Sequence, residues 1–538
     1  MKLADYFPFP KFRKHQRKVL AGVIRALIDG KVVIIRAPTG FGKSPVALAV
    51  LNFFGNGFYT TTQILLQEQL ERDFPNDLQL IKGKDNYICE NDNGLTCGCG
   101  VCKMVSKFKC NVKCPYDFNK EKALLHPNVL MNLAYFIKAS KQFAFPPNRE
   151  SNFFQREVLI VDECHNIPNI LTGQVEFSVR TNESFNNVSY AIQQDRTDDI
   201  LKYIKDACVL LGNEIDIVFN QISIADDPAR KEMLNRKLIK LDRRHEKVKE
   251  FIKEYEFKPS GWVFDISTSK SRYSKSEKLD VFIIGKPVYV AKYAHRFLWN
   301  RAKKIVLMSA SIINPEQFLK EIGLADREYE LFDVESTFPV ENRPIIYEPI
   351  GNMKYKFEKE SIPKIGNRIA EICTEFPNER IIIHCISYDR AEALASYNKS
   401  RRKILQDRQD RTGSYDKWQK SKNGIFYSIN MTEGLDLIDD KCRVQILPKV
   451  PYAPSKDKVV AKRLENKEWV WYYNQALSTI IQAYGRAVRS KKDWAVFIIL
   501  DSEFSALNRG HGKKMPNYVK ESIVEKRLSF AKELKRWL

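Results

Sequence analysis

No uninterrupted apolar run in this chain of 538 residues approaches the ~18 needed to cross a bilayer, so no membrane partner is expected. Residues 1–16 are broken by Pro and Lys and lack the apolar centre of a signal peptide. An intracellular, reducing, cytoplasmic setting is therefore expected (nucleoid or nucleus if the source is cellular). Acidic residues run short as well: 66 Asp and Glu stand against 88 Lys and Arg, a net charge of +22. The excess is spread along the chain rather than held in one tail, which favours a polyanionic partner. Cysteine is scarce outside one segment. Six of the 11 fall between Cys89 and Cys114, and in a reducing setting they do not imply a disulfide framework.

What is present centres on residues 31–51. Val32 to Ile35 form a short β-branched run, as in a strand buried on both faces. Ala37 to Ser44 (APTGFGKS) follow, and then a buried helical pattern from Val46 to Leu51. Strand, glycine-containing loop and helix in that order form the context of a phosphate-binding loop. Gly40 and Gly42 let the backbone wrap a phosphate at a helix N-terminus. Lys43 is suited to the β- and γ-phosphates of ATP and the Ser44 hydroxyl to Mg²⁺. Pro45 is tolerated in a first helical turn. Upstream, Phe12 to Gln16 precede a helical pattern from Val19 to Leu27, and the Gln16 amide is suited to an adenine edge. Phe58 to Gln69 read as a strand passing into a helix, with hydroxyls and amides placed to meet a phosphate backbone.

The cysteine segment is short, polar and without regular period, so a thiolate-bound metal or cluster is needed to hold it together. Four thiolates suit either an iron–sulfur cluster or zinc. Val158 to Val161 then form another buried strand, ending in Asp162 and Glu163, suited to Mg²⁺ and to the attacking water. Cys164 and His165 follow directly, but neighbours on a strand end point to opposite sides, which argues against a shared metal. From Leu201 to Ile222 and from Leu234 to Tyr255 apolar residues recur at spacings of three and four. Asp226 to Pro228 lie between, so the pattern predicts a helical hairpin, with His245 as a packing residue on its seam. Residues 267–278 read as a Ser/Lys-rich loop closing it. Strand patterning resumes at 304–311, with hydroxyls at its end, and after 338–344 strands at 380–388, 424–430, 444–447 and 495–500 give the pattern of a second parallel series. Arg486 and Arg489 are read as one face of a helix, placed to neutralise a γ-phosphate.

Arg13–Gln16, Ala37–Ser44, the cysteine segment, Asp162–His165, Ser309–Ser311, Glu433–Asp436 and Gln482–Arg489 together resemble the iron–sulfur helicases of the XPD/DinG family within superfamily two. The resemblance spans nearly the whole chain. It implies an α/β fold of two RecA-like parallel-sheet motor domains, the first carrying an iron–sulfur insertion and a helical arch. The first motor domain would comprise 1–82, 119–172 and 279–330, with the cluster domain at 83–118, the arch at 173–278 and the second motor domain at 331–538. ATP, Mg²⁺ and a [4Fe–4S] cluster are the implied cofactors. Single-stranded DNA and forked duplex are the implied partners, with 5′-to-3′ translocation by a monomer. Catalysis falls to Lys43, Asp162, Glu163, Arg486 and Arg489. Nucleotide contacts fall to these and to Arg13, Gln16, Thr39, Gly40, Gly42, Ser44, Gly434, Asp436 and Gln482. The cluster ligands would be Cys89, Cys97, Cys102 and Cys114, on a DinG-like spacing; Cys99 with Cys102 would match XPD instead, and Cys110 is a further reserve. Ser311 stands where the family usually has Thr, and the arch is short. A translocase that does not separate strands shares every motor motif, and a non-enzymatic scaffold would share only the fold.

Overall fold

The structure is a computed structural model and describes residues 2–62, 64–91, 95–98, 113–142, 155–257, 261–270, 279–429, 437, 439–488 and 490–525. The first domain is built on a sheet of seven strands: β1 (Val32–Arg36), β2 (Gly57–Thr61), β3 (Gln79–Ile81), β4 (Asn128–Asn132), β5 (Arg156–Asp162), β9 (Ala302–Ser309) and β10 (Tyr329–Asp333). Their spatial order is β10-β1-β9-β5-β2-β4-β3, and every pairing is parallel. All five residues of β1 are buried. Val32 and Ile34 enter the core on one face of the sheet, Val33 and Ile35 the core on the other. A strand sandwiched in this way is apolar where it meets both cores, from Val32 to Ile35, and the buried Arg36 at its end is paired with Asp333. The Lys43–Phe54 helix buries six consecutive residues, Val46 to Leu51, for the same reason.

The second domain repeats the plan with β11 (Ile345–Gly351), β12 (Ile381–His384), β13 (Lys403–Leu405), β14 (Ile425–Ser428), β15 (Val444–Leu447), β16 (Val496–Asp501) and β17 (Ile523–Glu525). The order is β13-β14-β12-β15-β16-β11-β17, again wholly parallel. Two parallel-sheet α/β domains are thus present, as expected.

Between β5 and β9 the chain leaves the first sheet to form a smaller unit. Here β6 (Phe177–Thr181), β7 (Trp262–Lys270) and β8 (Leu279–Pro287) make an antiparallel sheet of order β6-β8-β7. Helices Thr197–Ser223 and Pro228–Phe257 form the expected hairpin and share a core with this sheet. Ile204, Cys208, Leu211, Val218 and Ile222 bury on the first helix, and Leu234, Leu241, Val248 and Tyr255 on the second. Asp227 caps the second helix, accepting from the amides of Ala229 at 3.2 Å and Arg230 at 3.1 Å. The loop reading of 267–278 is corrected at its start, because Ser267 to Lys270 are extended in β7 and pair with β8. Ser267, Thr268 and Ser269 are all exposed there, so no apolar alternation marks this end of the strand. The border expected at 278 lies inside the β7–β8 hairpin. Among the described residues, no helix is long and apolar enough to cross a membrane.

Candidate nucleotide and nucleic-acid site

The phosphate loop leaves the C-terminal end of β1 and enters the Lys43–Phe54 helix through Gly42, which caps it at φ 81°. Gly40 has φ 85°. Both conformations favour glycine, and space demands it too. A Cβ at Gly42 would stand 2.6 Å from Gln16 Nε2, and one at Gly40 would stand 2.2 Å from the Phe338 ring. Gln16 is buried and holds the loop from outside: Nε2 donates to the carbonyls of Phe41 at 2.9 Å and Gly42 at 3.2 Å. Its Oε1 accepts from the Arg13 amide at 2.7 Å, and Arg13 Nη1 donates to the Gly40 carbonyl at 3.1 Å. The amide read as an adenine contact therefore grips the phosphate loop itself.

At the end of β5, Asp162 is buried beside the loop. Tyr59 donates to its Oδ2 at 3.2 Å, and the Glu163 amide donates to its Oδ1 at 2.9 Å. The Tyr59 hydroxyl also meets the Ser44 side chain, so one phenol links the two residues read as Mg²⁺ ligands. Sequence reading passed over Tyr59; its one signal is a hydroxyl in an otherwise apolar buried strand. Burial, with the Glu163 charge next, pushes the Asp162 carboxyl up to about 6, while Lys43 pulls the other way. Such a carboxylate lacks a full counter-charge, and a divalent cation between Asp162 and Ser44 suits that deficit.

Glu163 adopts φ 51°, a left-handed conformation that turns the chain sharply out of the strand. Cys164 then enters the core while His165 turns to the cleft, so the two part company as expected. His165 Nδ1 lies 3.4 Å from Glu163 Oε2 and is hydrogen-bonded to Ser309 Oγ at 2.8 Å. Burial holds this imidazole below its usual range. Ser309 Oγ lies 3.3 Å from Ser311 Oγ, which accepts from Gln482 Nε2 of the second domain at 3.2 Å.

A series of close polar contacts thus runs from Glu163 across the interdomain cleft. A second crossing joins Thr39 Oγ1 to the Gly485 carbonyl at 3.2 Å. The helix reading of Arg486 is corrected: the helix is Trp469–Tyr484 and Gly485 ends it, so Arg486 lies in the following turn. Arg486 nevertheless faces His165 closely enough to act on its charge. Arg489, Gly434 and Asp436 lie outside the described residues.

Among the cysteines, Cys89 and Cys97 are buried and Cys114 is half-buried. Backbone bonds from Cys89 to Leu95 and from Cys97 to Tyr87, both 2.8 Å, fold the segment back on itself. The Cys97 thiol is hydrogen-bonded with that of Cys114 and feels Cys89 as well. The paired Cys97 and Cys114 thiols suit a thiolate-bound group, but among the described residues no three Cys, His, Asp or Glu side chains are gathered as a metal site. Cys99, Cys102 and Cys110 lie outside the described residues.

Where this segment meets the first domain and the helical hairpin, a cavity of about 660 Å³ opens. Lys82, Lys84, Lys120, Lys138 and Arg243 line it, against Asp85 as its one acid, together with the rings of Tyr116 and Tyr135. Gln67 also lines it, buried, with Nε2 unpartnered.

Residues 369–522 match the family model described as a helicase C-terminal domain. A probable ATP-dependent helicase of Methanocaldococcus jannaschii is 21% identical, covering 94% of this chain and 93% of its own. The ATP-dependent DNA helicase YoaA of Haemophilus influenzae is 21% identical, covering 96% and 95%. A regulator of telomere elongation helicase 1 homolog of Drosophila mojavensis is 23% identical over 46% of this chain, which spans only 28% of that longer relative. In fold, the chain is similar to a solved XPD helicase, with TM-score 0.63 and 16% identity over 96% of this chain and 100% of the other. The helicase C-terminal model thus matches the second domain, ATP-dependent helicases are similar across both domains, and the fold is similar to that of a solved XPD helicase.

Proposed function

We propose that the chain is an ATP-dependent DNA helicase, moving 5′-to-3′ on single-stranded DNA and separating a forked duplex as a monomer. The series of close polar contacts from Glu163 to Gln482 carries this reading, because it links the hydrolytic carboxylate to the opposite domain. In it, Lys43 and the loop amides hold the ATP phosphates, and Ser44 and Asp162 hold Mg²⁺, which neutralises phosphate charge. Glu163 orients and deprotonates the attacking water, and the nearby neutral His165 fixes its carboxylate. Arg486 and Arg489 approach the γ-phosphate from the second domain, while Gly434, Asp436 and Gln482 complete that wall. Gln16 and Arg13 set the loop's shape. Cys89, Cys97, Cys102 and Cys114 hold a [4Fe–4S] cluster whose work is structural, stiffening residues 83–118 as a post beside the cavity. The domain division is the one read from the sequence, with β8 moved into the arch. The five cations and two rings of the cavity suit a single strand, whose phosphates and bases they match.

ATP turnover with single-stranded DNA, single-stranded RNA or neither, followed by displacement of 5′-tailed and 3′-tailed forks, tests this on anaerobically purified protein. DNA-stimulated hydrolysis with displacement only from the 5′ tail is expected. Hydrolysis without displacement would point to a translocase. Absence of turnover would sink the enzymatic reading.

A further inference from the structure

The interdomain cleft has another fastening, away from the phosphate loop. Arg463, on the Lys458–Glu465 helix of the second domain, is only 4% exposed. Its Nε and Nη2 donate to the Val288 carbonyl at 3.1 and 3.0 Å, and Nη1 donates to Glu321 Oε1 at 3.1 Å. The guanidinium lies 4.2 Å from the Trp471 ring centroid and 5.2 Å from that of Tyr289. Trp471 Nε1 donates to the same Glu321 oxygen at 2.9 Å. Around this centre Tyr289 donates to Glu468 and accepts from Asn466 Nδ2 at 2.8 Å.

The partners of Arg463 have informative addresses. Val288 and Tyr289 directly follow β8, the last strand of the inserted unit. A few residues on, Tyr293 donates to Glu254 Oε1 at 2.6 Å, and Glu254 belongs to the long Pro228–Phe257 helix of the hairpin. Glu321 closes the Pro315–Glu321 helix, which begins four residues after Ser311. Trp471 lies on the Trp469–Tyr484 helix, which ends two residues before Arg486. One guanidinium thus grips the root of the insertion, the first domain and the helix leading to the arginine turn. Such a contact resists opening, because parting it leaves buried charges without partners.

We infer that Arg463 and Glu321 are positioning residues that tie the root of the helical insertion to the second domain. Movement of the second domain when nucleotide opens or closes the cleft then pulls on the root of the insertion through this contact. Arg243, on the same long helix, lines the cavity, so the cavity changes width once per ATP cycle. The inference rests on the proposed ATP-driven reading.

Hydrogen exchange of residues 241–257 and 279–290, compared between ADP and a non-hydrolysable ATP analogue, tests it in the full-length protein. Wild-type protein should show nucleotide-dependent protection there. Arg463→Met combined with Glu321→Leu removes both charges and keeps apolar volume, so neither is stranded. This pair should lose the nucleotide-dependent difference and keep strand-stimulated kcat. Base pairs separated per ATP should fall about tenfold, the scale of a coupling between two sites. Arg463→Lys should recover part of the loss, since an ammonium can meet Glu321 but lacks the fork for the Val288 carbonyl. The same protection difference in the paired variant as in wild type would overturn the inference, as would its absence from wild type. A fall in kcat as large as the fall in unwinding would overturn it too. Failure of wild-type turnover would instead sink the proposed function, while the exchange comparison needs only nucleotide binding.

Discussion

Thr39 Oγ1 donates to the Gly485 carbonyl at 3.2 Å, joining the phosphate loop of one domain to the turn that carries Arg486 in the other. The bond from Gln482 to Ser311 lies beside it on the same helix end. Together the two crossings pin the end of the Trp469–Tyr484 helix against both the loop and the end of β9. A ligand that displaced the loop by an ångström would disturb both, so nucleotide occupancy and domain spacing are mechanically linked.

Lys43→Ala should abolish hydrolysis by removing the cation on the β- and γ-phosphates. Glu163→Gln should bind ATP and fail to hydrolyse it, since Asp162 and Ser44 remain for the metal. Nucleotide-binding and turnover assays separate the two effects. Near-parental hydrolysis by Glu163→Gln would remove it as the general base.

Arg486→Ala and Arg489→Ala should each lower kcat for ATP far more than they weaken binding, by on the order of 10³, as arginine fingers do elsewhere. A change confined to KM would mark both as ground-state contacts.

Much of this site was legible because chemistry and local structure coincide in it. Asp162 and Glu163 sit at the end of a strand, and Lys43 just past the loop that follows another, both strands so apolar that their burial is unmistakable. Tyr59 was not legible, since an aromatic residue in a buried strand reads as core until its hydroxyl is seen against Asp162. Arg486 was assigned to a helix because Gln482 to Arg489 keep helical spacing; Gly485 ends the helix, and no periodicity reports that. Gln16 was read as a contact for an adenine edge, yet its partners are Phe41 and Gly42, 25 and 26 residues away. The Arg463–Glu321 contact spans 142 residues and left no trace in the sequence pattern.

Asp162 has a consequence for the protein without ligand. Its folded pKa is raised from 3.8 to about 6, chiefly by burial, so the folded state binds this proton more tightly than the unfolded chain does. The associated stability is complete at low pH and is lost as pH rises through the raised value. Asp162→Asn should therefore stabilise the ligand-free protein by about 2 kcal/mol near pH 8, with the advantage shrinking toward about pH 5. Saturating Mg²⁺ and ATP should erase the difference by supplying the counter-charge. Thermal melts across pH, with and without Mg²⁺–ATP, decide it; equal melting points at pH 8 without ligand would show that the buried carboxylate is already neutralised.

The cysteine segment offers the sharpest division between parts of the molecule. Among the described residues of 83–98, only Cys89, Leu95, Cys97 and half-buried Tyr87 join the core beneath them, so the segment depends on whatever its thiols hold. The two parallel sheets have cores of their own and do not. Cys89→Ser or Cys114→Ser should therefore bleach the brown colour expected of a [4Fe–4S] cluster and cripple duplex unwinding. DNA-stimulated ATPase should survive in part, because Lys43, Glu163 and Arg489 lie outside the segment. Cys97→Ser should matter more than Cys99→Ser, since the Cys97 thiol already meets that of Cys114 and is buried. Iron and zinc analysis of anaerobically purified protein, with a visible spectrum for each variant, checks every part. Stoichiometric zinc without iron would replace the cluster by a structural zinc site. Full unwinding by a cluster-free variant would show that the segment is not the post on which the duplex splits.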